Sequence, residues 1–282
     1  SEMCIRDRIS YSPARVAKGD NSSNVVERAI EYWNGDEGKR GIVTLCWHWC
    51  PAARYDKSKN DPWGTFYTDK TKFNLARALN GRDPDGYQML LDDIDAIAVQ
   101  LKRLQDADVP VLWRPLHEAS GGWFWWGASG ADAYLQLYKL MYDRLTNVHG
   151  LNNLIWVWNG QDAAWYPGDE YVDIIGEDIY PGKHVYTSQA ARFIKALSYT
   201  DTRKLITLSE NGCIPDPEQL VRDNIMWSYW CVWEGEFVLK AAGFNNYSEQ
   251  YTEKNMLKKA YKSDTVITRK ELPDLRNYPL GD

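Results

Sequence analysis

The chain has no apolar run approaching the roughly 18 residues of a membrane-spanning helix. It also has no basic run suited to a phosphate backbone, and its formal net charge is −6, so neither a membrane nor a nucleic-acid partner is expected. The five cysteines include no CxxC pair, which disfavours zinc, and no metal or cofactor is expected. Cys46, Cys50, Cys213 and Cys231 lie in or beside apolar runs and read as buried free thiols. Dinucleotide binding would call for a GxGxxG loop after the first strand, and YSPARVAKGD is not one. Internal repeats and low-complexity linkers are lacking too. Phenylalanine is scarce, at 6 residues against 14 Trp and 18 Tyr. Aromatic rings with a polar handle suit surfaces where an apolar face meets a wet ligand.

What is present suits one large α/β domain. The 282 residues are 44% hydrophobic and 26% charged, enough for a globular core. Near-continuous apolar runs predict strands at 8–13, 41–49, 109–118, 154–159, 172–180, 204–212 and 226–233, a pattern of parallel strands covered on both faces. Helices are predicted between them at 24–34, 85–105, 131–148 and 188–197. In the second of these, Leu90, Leu91, Ile94, Ile97, Leu101 and Leu104 form one stripe. Strand and helix alternate, which means βαβ units and a parallel sheet. The fold class expected is an α/β (β/α)8 TIM barrel, which needs eight strands. The seven counted leave the first, β1, to lie upstream. The opening SEMCIRDR has no apolar core and cannot be a secretory signal. Its EMCIRD resembles a translated transposase adapter, so 1–8 reads as a non-native leader and native sequence as beginning near Ile9.

Polar or indole groups sit at the strand ends: His48, then Arg114 with His117 and Glu118, then Asn159, Asp178 and Tyr180, Glu210 and Trp233. Ionisable groups at the ends of apolar strands are costly to bury unpaired, so a shared cavity is expected. In a barrel that cavity lies at the C-terminal ends of the strands. Glu118 and Glu210 end the fourth and seventh strands of an eight-strand count, which lie across a barrel mouth. Two carboxylates so placed are the machinery of glycoside hydrolysis, one a proton donor and the other a nucleophile or base. Burial beside aromatic surface would keep Glu118 protonated, and the polar neighbour Asn211 would favour an ionised Glu210.

The run RPLHE (114–118) followed by GGWFWWG (121–127), with LSENG at 208–212, resembles glycoside hydrolase family 26. CWHW (46–49) and IIGEDIYPG (174–182) support the resemblance, which covers Ile9 to about Leu239. The resemblance implies a (β/α)8 barrel over 9–282 and retaining, endo-acting hydrolysis of β-1,4-mannosidic bonds in mannan, glucomannan or galactomannan. It implies Glu118 as acid/base and Glu210 as nucleophile, with Arg114 and His117 tuning the pair and Tyr180 hydrogen-bonding the nucleophile. His48 and Trp123 would line the subsite of the cleaved sugar, and Trp233 would floor it. Not all of Trp123, Phe124, Trp125 and Trp126 can face a cleft.

Three alternatives are open. A β-1,3-1,4-glucanase or a β-1,3-xylanase would keep the family and change the polymer. A non-catalytic carbohydrate-binding barrel would be expected to have lost one carboxylate, and both are present. A calcium loop at DKSKND (56–61) lacks the required glycine and glutamate. A secreted monomer acting on polysaccharide is the expectation.

Overall fold

The computed structural model describes residues 4–9, 16, 24–35, 41–51, 53–58, 61–240, 246–275 and 277–278. Seven strands are found among the described residues: β1 (Cys4–Ile9), β2 (Ile42–Trp47), β3 (Val111–Arg114), β4 (Leu154–Trp158), β5 (Ile174–Ile179), β6 (Leu205–Asn211) and β7 (Trp230–Val232). The helices are α1 (Asn24–Asn34), α2 (Leu75–Leu79), α3 (Pro84–Asp106), α4 (Ala131–Asp143), α5 (Ala190–Leu197), α6 (Pro217–Asp223) and α7 (Lys254–Tyr261). The strand foreseen at 8–13 is instead Cys4–Ile9, and positions 10–13 lie outside the described residues. The run foreseen at 226–233 is a strand only over Trp230–Val232.

The chain divides into two compact units. In the unit holding Ile42–Asp173, β2 pairs in parallel with β3 and β3 with β4, with Val43 opposite Val111 and Trp113 opposite Trp156. The long helix α3 belongs to the same unit and buries one apolar stripe. It starts where Asp83 caps it by accepting from Gly86 N at 3.0 Å, with Pro84 at its first position. Leu90, Ile94, Ile97, Leu101 and Leu104 have 0% exposure. Each stabilises the fold by roughly 2 kcal/mol through apolar burial. Helix α4 stops at Asp143 and continues as a π turn over Arg144–Val148, shorter than the helix foreseen. Arg144 there makes a two-pronged ion pair with Asp95 of α3, at 2.6 Å for each prong.

In the unit holding Ile174–Asp282, β5 pairs in parallel with β6 and β6 with β7. Glu177 faces Leu208, but the next residue, Asp178, faces Glu210, so Ser209 is the extra residue of a β-bulge. Bulges re-aim side chains at strand ends, and this one sits where the carboxylates cluster. Below it Glu177 is fully buried, paired with Arg192 of α5 and accepting from the Tyr199 hydroxyl at 2.8 Å.

Candidate active site

Strand β3 ends at Arg114 because Pro115 has no N–H to give the next rung. The chain then turns sharply: Leu116 and Glu118 both have φ of 53°, a left-handed conformation costing about 1–3 kcal/mol at a non-glycine residue. Neighbours hold it in place. Glu118 N donates to the Asn159 carbonyl at 2.7 Å, and Trp126 Nε1 donates to the His117 carbonyl at 2.9 Å. Arg114 is buried at 1% exposure, and its Nη1 donates to Asn159 Oδ1 at 2.8 Å. Asn159, one residue past β4, therefore ties the arginine to the turn that presents Glu118.

The aromatic run beyond that turn divides its labour. Phe124, Trp125 and Trp126 are buried, with Phe124 stacked on Trp126 at 4.6 Å between centroids. Trp125 Nε1 donates to the Trp49 carbonyl at 2.7 Å. Trp123 is 47% exposed, and its Nε1 donates to Glu118 Oε2 at 2.9 Å. Gly121 makes that placement possible: a Cβ there would lie 2.0 Å from the Trp123 ring. His48 is buried edge-on against Phe66, with the His117 ring 4.9 Å away. The structure thus gathers His48, Arg114, His117, Glu118 and Trp123 within one unit.

Tyr180, Glu210 and Trp233 lie in the other unit. Glu210 is 3% exposed, and its Oε2 accepts from the Tyr180 hydroxyl at 2.7 Å. Tyr180 is itself 44% exposed and leans on Phe237, 5.4 Å between ring centroids. Asp178 and Glu210 offer oxygens within 4.8 Å of each other. The bulged Ser209 donates to Asp178 Oδ1 at 2.6 Å, satisfying one of these two crowded acids. Trp233 is half-buried and its backbone N–H donates to the Asn211 carbonyl at 2.9 Å.

Sequence reasoning placed Asn159 and Asp178 at strand ends without giving either a role. Their position as the first polar residues after apolar runs was the available signal. Ser209 and Phe66 had no such signal, because a bulge and a loop contact leave no periodic trace. Cys46 and His48 of the CWHW run come together with His117, and each of the three offers a ligand atom within 4.8 Å of the others.

The chain is 40% identical to the crystal structure of a GH26-CBM35 β-(1,4)-mannanase from Podospora anserina, with a TM-score of 0.84 over 95% of this chain and 58% of that one. A β-mannanase from a symbiotic protist of the termite Reticulitermes speratus, solved with a gluco-manno-oligosaccharide, is 34% identical with a TM-score of 0.80, over 96% of this chain and 81% of that one. The fold class is the (β/α)8 barrel of the glycoside hydrolases. The family model for glycosyl hydrolase family 26 matches residues 2–271, and the chain belongs to that family. It is 44% identical over 267 residues to a mannan endo-1,4-β-mannosidase of Thermothelomyces thermophilus, covering 94% of this chain and 52% of that protein. Against mannan endo-1,4-β-mannosidase A of a Piromyces species, identity is 38% over 250 residues, or 89% of this chain and 38% of that protein. The chain therefore spans about half or less of the length of these curated relatives.

Proposed function

We propose that this chain hydrolyses β-1,4-mannosidic bonds within mannan-type polysaccharides, with retention of configuration. One observation carries the reading: each of two glutamates is hydrogen-bonded by an aromatic side chain that is itself open to solvent. Trp123 donates to Glu118 and Tyr180 donates to Glu210. A carboxyl held beside an exposed ring suits a sugar, whose C–H face stacks on the ring while the acid meets its oxygens.

In this reading Glu118 protonates the glycosidic oxygen as Glu210 attacks the anomeric carbon, and the leaving chain departs with the proton. Glu118, now a carboxylate, takes a proton from water as that water cleaves the glycosyl ester, which regenerates both groups. Arg114 and Asn159 hold the turn that presents Glu118. His117 tunes the two glutamates, and His48, Trp123 and Trp233 contact the sugar. No helix among the described residues is long and apolar enough to cross a membrane. The substrate is a polymer outside cells, so the proposed site of action is extracellular.

The test incubates the protein with β-mannan, mixed-linkage β-glucan and β-1,3-xylan while product sizes and the first-formed anomer are followed. Short manno-oligosaccharides appearing first as the β-anomer are expected. Activity only on another polymer would replace the substrate, and a first-formed α-anomer would remove the covalent intermediate. Binding without turnover would leave a carbohydrate-binding barrel.

A further inference from the structure

Two imidazoles and a thiol converge at the end of β2. Cys46 lies in β2, and His48 is the first residue beyond its end. Cys46 Sγ lies 3.8 Å from His48 Nδ1. His117 comes from the loop after β3, the strand whose Arg114 stands in register with Cys46. Cys46, His48 and His117 are buried, at 1%, 4% and 2% exposure, and each offers a ligand atom within 4.8 Å of the others.

These spacings match a coordination sphere. A four-coordinate ion with bonds of about 2.0–2.3 Å holds its ligand atoms roughly 3.3–3.8 Å apart. The Cys46–His48 pair already has that separation, and the third ligand atom lies within 4.8 Å of both. Phe66 and Phe124 wall the His48 ring, and Phe124 and Trp126 wall that of His117. An apolar wall of this kind holds ligand side chains in place and limits water at the site.

We propose that Cys46, His48 and His117 form a binding site for one thiophilic d10 cation, Zn²⁺ or Cd²⁺. On binding, the Cys46 thiol proton passes to solvent, and the thiolate sulfur and two neutral imidazole nitrogens each give a lone pair to the ion. The fourth position takes a single water. Sulfur with two imidazoles favours such ions over magnesium or calcium, which seek oxygen. The binding stands on the side-chain geometry alone. Its consequence, that the bound ion takes His48 from the sugar and His117 from the glutamate pair and so inhibits hydrolysis, rests on the proposed function.

Cadmium chloride titrated into the full chain tests the site through the ultraviolet thiolate-to-cadmium charge-transfer band. Saturation at one cadmium per chain is expected. Cys46→Ser removes the band and weakens binding about tenfold or more, whereas Cys50→Ser, at another buried thiol, changes neither. His48→Gln keeps the thiol and weakens binding to a similar degree, which covers the case in which Cys46→Ser fails to fold. A band that persists in Cys46→Ser, or the lack of saturable binding, overturns the site. In parallel, zinc chloride should inhibit mannan hydrolysis by the wild type and leave Cys46→Ser, equally active without zinc, uninhibited. Cadmium binding without any hydrolysis overturns the proposed function and leaves the site. Hydrolysis without cadmium binding does the reverse, and hydrolysis undiminished with zinc bound overturns the inhibition.

Discussion

The hydroxyl of Tyr180 donates a 2.7 Å hydrogen bond to Oε2 of Glu210, a carboxyl that is only 3% exposed. A buried carboxylate gains most from donors aimed at it, because few water molecules can replace them. Tyr180→Phe keeps the ring against Phe237 and deletes that donor. A hydrogen bond to a charged group contributes about 1.5–3 kcal/mol, so kcat/KM on manno-oligosaccharides is expected to fall by roughly 10- to 100-fold. The same lost donor leaves the buried Glu210 less well satisfied in the folded state, so the thermal midpoint is expected to fall modestly as well. Unchanged kcat/KM would remove Glu210 from the chemistry or Tyr180 from its support.

Trp123 offers two things at once, an exposed face and an N–H to Glu118. The variants Trp123→Phe and Trp123→Ala separate them. Phenylalanine keeps a stacking face and loses the donor, at a cost of about 1–3 kcal/mol. Alanine loses the face as well and is expected to cost about 0.5–1.5 kcal/mol more. Steady-state kinetics on a defined manno-oligosaccharide would show kcat/KM falling in two steps. Equal values for both variants would mean that the ring contacts no sugar.

Gly127 sets the shape of the same loop from its far end. A Cβ there would stand 2.0 Å from the Ala119 carbonyl oxygen, and backbone cannot retreat as a side-chain tip can. Gly127→Ala must therefore shift the 3-10 turn over Ala119–Gly121 that follows Glu118. A loss of about 1–3 kcal/mol of stability is expected from such overpacking, read as a drop in the denaturant midpoint. Normal stability with normal activity would show that the turn tolerates displacement.

How much of this was legible beforehand depended on what periodicity can carry. The apolar runs at 41–49 and 204–212 and the stripe from Leu90 to Leu104 announced β2, β6 and α3, because burial on a sheet or helix leaves a repeating trace. The stretch from Arg114 to Gly127 also stood out, since its density of ionisable and indole groups is costly outside a site. Backbone detail was hidden. Nothing in LHE signals that Leu116 and Glu118 both turn left-handed, because tertiary bonds to Asn159 impose it. The bulge at Ser209 was equally silent, as one extra residue among seven strand residues does not disturb an apolar pattern. Asp93 gave no signal either, because the inward placement of one acid beside an apolar stripe is set by packing and shows only in the fold.

That inward acid gives a prediction about pH. Asp93 is 2% exposed, and Trp49 Nε1 donates to its Oδ2 at 2.6 Å. Burial pushes its carboxyl up to about 7, against the Trp49 bond, which favours the ionised form, while the neighbouring Asp92 charge adds to the rise. In the unfolded chain the same group titrates near 4. Between about 4 and 7 the folded protein thus holds a proton that the unfolded chain has released, and stability falls as pH rises through that window. The contribution is fully present below about 4 and gone above about 7, and its size is on the order of 4 kcal/mol at most. Asp93→Asn keeps an acceptor for Trp49 and cannot ionise. Its thermal midpoint should exceed the wild type's at pH 8 and approach it as pH falls towards 4. Parallel midpoint curves for the two proteins across that range would show that Asp93 carries no such linkage.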